Sequence, residues 1–284
     1  MNEPVRRPNP GEFTQGAIFN CAVAEAYRGS DAYGIIITAR CDVANDKAPT
    51  YNYVPIVSLT SWLTGDGLRI LSDRVKKSAC GNVRTQLSNL EISPRVLMFH
   101  GLDQVASEFL PLATKKNKKH IDSLKNSIEV IKEADRILSE GDPLDIQHYY
   151  EKNEKIRIKI LKELVSHQLT GFYFIPRVDG GDREATGYVA LQREIHHLPA
   201  LMAKTISEGL VEEKYHEMRR AGSIDGCRLR FNSGDFAMPI GQLTSPHIEH
   251  FMQALFNLFS RIGLPDYDDK YIEEIWNINY IAGQ

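Results

Sequence analysis

Arg40, Cys41 and Asp42 set a permanent cation, a thiol and a carboxylate side by side. They close the stretch YGIIITARCDVAND (residues 33–46), where three consecutive isoleucines run straight into polar residues. A loop leaving a buried strand lets side chains reach solvent from a rigid frame. In that position Asp42 would serve as a general base or a metal ligand, with Cys41 or Arg40 beside it. Arg40 has the geometry to hold a phosphate. The plainer reading makes Cys41 a small apolar residue of the interior and Asp42 a turn-former through its own side chain. The residues alone leave both open.

Two further groups carry chemistry. His196 and His197 follow an apolar run, and adjacent histidines on a strand point to opposite faces. A turn at Pro199 would let one of them join Asp42 or Cys227 around a divalent ion, although the spacing follows no standard zinc pattern. A surface or core-edge histidine is the default. The run KKNKKH (115–120) is the one dense basic cluster in the sequence. Lys115, Lys116, Lys118 and Lys119 could grip phosphates by releasing counterions, or form a solvated loop. Arg219 and Arg220 would add to a basic patch if the fold brought Arg228 and Arg230 near. SACGNVRTQ (78–86) has one glycine where a phosphate loop needs several, and GxSxG, HExxH and GxGxxG do not occur.

Composition bounds the rest. The chain has 284 residues, enough for one or two domains with a sizeable core. Its net charge of −3 makes nucleic-acid binding a matter of a local patch rather than of the whole surface. The four cysteines, Cys21, Cys41, Cys80 and Cys227, are too widely spaced for a thiolate zinc site. MNEPVRRPNPGEF holds no apolar leader segment, and no apolar run approaches the length of a membrane span. The expectation is a cytoplasmic protein with reduced thiols, no membrane partner and no cofactor, a divalent metal being the one alternative.

The elements that must position these residues follow from periodicity. Residues 1–12, with three prolines, predict an extended arm. Strand-like patterns occupy 15–27, 33–41 and 50–59, with Pro55 marking a sheet edge or a bulge. From about 60 to 170 the period turns helical. Ile121, Leu124, Ile128, Ile131 and Leu138 share one face, GDP (141–143) breaks the chain, and a second helix over about 145–169 completes an αα-hairpin. SPRVLMFHGL (93–102) reads as an extra strand. Strand patterns return at 171–178 and 186–195 around the turn DGGDREA. A further hairpin is expected over 227–240, turning at Asn232–Asp235, after a helix near 199–221. The last helix is the best specified. Ser245 is its expected cap and Pro246 its first residue, with the stripe Ile248, Phe251, Met252, Leu255, Phe259, Ile262 and a stop at Gly263 and Pro265. The fold class is therefore α+β: an SH3-like small β-barrel or curled antiparallel sheet, built from 1–59 and 171–284. It is split by a mostly helical insertion over 60–170 and closed by a C-terminal helix.

Two resemblances bear on function. IIITARCDVAND resembles a V-[IL]-[ST]-x-x-C-D-[ILV] motif in a scattered set of uncharacterised bacterial proteins from mobile or defence-associated gene clusters. SPHIEHFMQALFNLFSRIGLP is similar to their SP-x-x-E-x-x-x-Q…RxGLP ending. More distantly, the layout QGAIFN…YGIIITARCD…TYNYVPIVSL resembles the barrel of the MazF/PemK toxins, with Gly16-Ala17-Ile18 and Pro55-Ile56-Val57-Ser58 at matching points. Here Ala17 stands where the toxins have Asp, and Tyr33-Gly34 where they have Arg-Pro. Two functions follow as expectations. One is a non-catalytic component of a bacterial defence or stress system, whose helical insertion docks a protein partner from the same operon, with nucleic acid as a second partner class. The other is a nucleic-acid-cleaving effector, with Arg40, Cys41, Asp42 and Ser58 lining a groove helped by the 115–119 lysines.

Overall fold

The computed structural model describes residues 3–9, 11–179, 187–224 and 226–260. Its centre is one antiparallel sheet, curled into a half-barrel. The strands are β1 (Val5–Arg6), β2 (Ala17–Ala22), β3 (Ala32–Ile36), β4 (Thr50–Ser58), β5 (Phe172–Ile175), β6 (Tyr188–Leu191), β7 (His196–Pro199) and β10 (Pro239–Leu243). Their order is β1-β10-β2-β3-β4-β6-β5, with β7 also on β4, so strands from both ends of the chain share one sheet. Two short strands, β8 (Leu210–Val211) and β9 (Phe236–Ala237), pair separately.

Alternation along the strands sends side chains to two faces, and both are covered. Val5, Ile18, Ile35, Val54, Ala190, Ile175 and Leu243, at least one from every strand on the main path, meet in one cluster. Ile248, Phe251 and Leu255 of the C-terminal helix plug it from inside the curl. The outer face is divided. One half, including Phe19, Ile36 and Tyr53, packs against Met202, Ala203 and Ile206. The other half, including Val57, Val189 and Leu191, packs against helices of the insertion through Trp62, Leu71, Tyr149 and Leu164. This double burial is why the isoleucine run is continuous rather than alternating. Gly34 lies beneath the rings of Phe19 and Tyr53, where a Cβ would collide with both.

The helices run α1 (Arg40–Ala44), α2 (Leu59–Thr64), α3 (Asp66–Asn89), α4 (Val96–Phe99), α5 (Leu102–Phe109), α6 (Lys118–Glu140), α7 (Pro143–Lys152), α8 (Glu154–Val165), α9 (Ala200–Glu208), α10 (Glu212–Arg220) and α11 (His247–Phe259). Elements α2 to α8 lie between β4 and β5 in the chain. The long partners are α3 and α6, joined by Lys76–Asp135 (2.9 Å) and Asn82–Ser127 (2.6 Å). They have their own core of Val83, Leu87, Val105, Leu124 and Ile128, so the outer part of the insertion is a helical arm with an interior separate from the sheet.

Several expectations need correction. Within the N-terminal arm Val5–Arg6 form a short edge strand: Val5 is fully buried and pairs with Leu243. The strand of 33–41 stops at Ile36, because Thr38 Oγ1 takes the amide of Asn52 (2.7 Å) and the amides of Asp42 and Val43 turn back to the Ala39 carbonyl. Pro55 is on a central strand, at the place where β4 passes from β6 to β7; its missing N–H falls where no ladder partner stands. Residues 96–99 are a helical turn, since Val96 and Leu97 pack onto the arm core. The helix expected over 145–169 is two, broken at Asn153, and α6 packs chiefly on α3 rather than forming a hairpin with α7. Residues 227–235 form no ladder. Their turn is present, with Asp235 N–H donating to the Asn232 carbonyl (2.9 Å), but Cys227, Leu229 and Phe231 pack near Tyr215 instead of pairing. Ser245 does not cap α11; Pro246 holds that position with no side-chain cap. Phe259 is half exposed, and Ile262, Gly263 and Pro265 lie outside the described residues, as does most of DGGDREA.

Candidate functional site

The effector groove required Arg40, Cys41, Asp42 and Ser58 to face one another. The sheet register keeps them apart. β3 and β4 pair Ile36 with Tyr53 and Ala32 with Val57, so Ser58 stands at the opposite end of the strands from α1. Four residues of strand are about 13 Å, and Arg40 lies beyond that. Ser58 is occupied as the cap of α2: its Oγ accepts from the Ser61 amide (3.0 Å) and bonds Ser61 Oγ (2.9 Å). Cys41 and Asp42 are exposed on one turn of helix, and the thiol reaches Asp42 Oδ1 at 3.6 Å. Asp46, in left-handed backbone (φ 51°), ends that turn, and the amide of Lys47 bonds the Asp42 carbonyl (2.9 Å).

Arg40 does line a cleft, of about 850 Å³, between α1, residues 11–14 and α9. Phe13 and Tyr51 stack along its wall at 6.2 Å. Arg40 and Lys204 face Glu12, Asp46 and Glu208, so the cleft offers no single-sign field for a polyanion. Burial, then Asp46, holds the Tyr51 phenol above its ordinary range.

The other candidates disperse as well. His196 Nε2–H donates to the Glu194 carboxylate at 2.7 Å and its ring stacks on Tyr53, while His197 faces solvent, the opposite-face arrangement a strand imposes. Among the described residues, no three of His, Cys, Asp and Glu stand together as a metal site. Arg228 is paired with Glu25, and Arg230 donates to the carbonyls of Arg28 and Ser30, so these two brace loops instead of extending a patch with Arg219 and Arg220. The buried thiols of Cys21 and Cys227 are pushed up to about 12 and about 11 by desolvation, and at Cys21 also by Asp235 and Asp31. Neither is a ready nucleophile.

What remains is the arm. Lys115, Lys116, Lys118 and Lys119 are all exposed, at the end of α3 farthest from the sheet. That helix is about 36 Å long at 1.5 Å per residue, so the lysines cannot assist α1. Their loop is firmly built. Asn117 Oδ1 accepts from the amide (2.6 Å) and hydroxyl (2.9 Å) of Thr114, and Asn117 Nδ2 donates to the Leu112 carbonyl (3.1 Å). None of the four lysines has an ion-pair partner among the described residues. On the flank of the arm, Met98 and Phe99 are 81% and 80% exposed, while Val96 and Leu97 of the same turn are held in the arm core. A strand reading of 93–102 hid this pair. The signal was there in the four consecutive apolar residues VLMF, of which one helical turn can bury only part.

The chain matches no family model, no curated protein and no solved structure in comparisons with each.

Proposed function

We propose that the protein is a non-catalytic binding component of a bacterial defence or stress-response system, with the curled sheet as scaffold and the helical arm as docking limb. The setting rests on the resemblance of the CD strand-end and C-terminal motifs. The limb rests on the arm itself. The inner turns of α3 and α6 cover the sheet, but their outer turns pack on one another and on α4 and α5, so what that projection offers is surface. Two adjacent large apolar side chains held in water on a fixed turn are the observation that carries the reading, because such side chains are the usual anchors of a protein contact. The partner is a protein that covers Met98 and Phe99. The lysine loop steers its approach and gives the contact its salt dependence.

A photo-reactive phenylalanine at position 99 tests this in cells that carry the neighbouring genes. The same probe at Ile195, exposed on the sheet side, is the control. One discrete cross-linked species from position 99 and none from 195 is the expected result. No species from 99, or equal yields from both positions, refutes the docking limb.

A further inference from the structure

Where α8 meets β5 and α11, three rings pack together, two of them lining a pocket that the arm does not use. After Val165 the chain ends α8 with a paired closure: His167 N–H donates to the Leu164 carbonyl (3.0 Å) and Gln168 N–H to the Glu163 carbonyl (2.8 Å). That closure needs left-handed backbone at position 167, normally supplied by glycine or asparagine. Histidine stands there instead, at φ 57°. Cys21, Asp46 and Glu91 take left-handed backbone too; Asp46 and Glu91 are exposed, and Cys21 is a small thiol packed in the core. His167 instead turns its ring inward, flat on Tyr173, with centroids 3.9 Å apart and planes 15° apart. Among the described residues its Nδ1 is buried without a hydrogen-bond partner, as are Trp62 Nε1 and Gln242 Oε1 elsewhere in the core. An imidazole kept at a backbone cost, with an unanswered buried nitrogen, reads as a functional group rather than a cap.

Its neighbours are arranged to match. Tyr173 is 2% exposed and its hydroxyl bonds His250 Nδ1 at 3.0 Å, which orients the second imidazole. The two histidine rings meet edge to face at 5.1 Å. Both line a pocket of about 420 Å³, with the carboxamides of Gln168, Gln192, Gln253 and Asn257. Gln192 is itself 2% exposed, its Nε2 donating to the Phe251 carbonyl. Among the described residues that line it none is Asp, Glu, Lys or Arg; the Arg193 side chain lies against Gly171 without joining the wall. Burial, with His250 and His247 nearby, holds His167 neutral at ordinary pH.

The lining names its ligand by what it offers. In the described wall a phosphate or carboxylate would meet no cation, and a cation no anion. Carboxamides present a donor and an acceptor side by side, and a neutral imidazole presents one of each. That pattern complements the in-plane donor and acceptor edge of a nucleobase, the way Asn and Gln read adenine. The volume is in the range of small-molecule sites. We propose that this pocket binds an uncharged nucleoside, read on its base edge by the carboxamides and by His167 and His250.

Calorimetric titration of the full chain with adenosine, guanosine, cytidine and uridine tests the proposal, with methyl glycosides and the corresponding 5′-monophosphates alongside. Saturable binding of at least one nucleoside is expected, tighter than its monophosphate and without binding of the glycosides. H167G keeps the helix closure and removes the ring; it should unfold at a temperature no lower than the parent yet bind roughly tenfold more weakly, the loss of one good hydrogen bond. Y173F, which keeps the stack but releases His250, should also weaken binding. No nucleoside binding, glycosides bound as tightly as nucleosides, or H167G binding like the parent would each overturn the assignment.

Discussion

The pH dependence of stability at His167 can be worked from its surroundings. Desolvation, with smaller contributions from His250 and His247 on α11, lowers the imidazole from 6.5 to about 4. The folded state therefore binds this proton less readily than the unfolded chain. Stability from the neutral ring is complete above pH 6.5 and is lost as pH falls toward 4. The fall from 6.5 to about 4 sets a ceiling of about 3 kcal/mol, of which about 2.5 kcal/mol is gone by pH 4.5. The comparison chain is H167N, because asparagine accepts left-handed backbone and does not titrate. Every other group is common to both chains and cancels to first order. Urea unfolding at intervals from pH 7.5 to 4.5 would be fitted for both proteins. The parent should lose stability relative to H167N by up to about 2.5 kcal/mol across that window, with its steepest fall below pH 6.5. Parallel profiles would refute the reasoning, since they require a ring as open to water folded as unfolded.

Three other outcomes are expected. Ser58→Ala should cost about 1 kcal/mol in denaturant unfolding, the worth of an N-cap, and leave any partner cross-link from position 99 unchanged. Gly34→Ala should destabilise by about 1–3 kcal/mol, because the new methyl meets Phe19 and Tyr53 in a packed layer; a neutral result by thermal melting would show that the layer can open. In native labelling with a maleimide at pH 7.5, exposed Cys41 should supply the fast phase, abolished in C41S, while Cys21 and Cys227 react only on unfolding.

The architecture was legible because its causes are local. Three isoleucines in a row mark a sheet covered on both faces, and the period change after residue 59 marks the helices. Register and pairing are another matter. That Ser58 and Asp42 stand at opposite ends of a strand pair depends on Ile36 facing Tyr53, which no single stretch encodes. Residues 227–231 have strand composition, yet a long-range packing choice near Tyr215 leaves them unpaired. The CD pair drew notice through residue chemistry and stands on an exposed helical turn. The rings of His167, Tyr173 and His250 come from three elements up to 83 positions apart, 167 to 250, and nothing in their spacing joins them. A histidine where a helix should close on glycine was the one local clue.

The placement of β10 between β1 and β2 has a consequence for synthesis. Ile18, Ile35 and Val54 leave the ribosome early, but β10 and α11, which close over them, come some 190 residues after Val54, 243 minus 54. At 5–20 residues per second the first sheet residues wait about 10–40 s with one face uncovered. The arm, complete by Glu140, can settle long before that. Nascent chains should therefore be clients of holding chaperones through their N-terminal third, and shortening the chain before β10 should yield aggregates rather than a smaller folded protein.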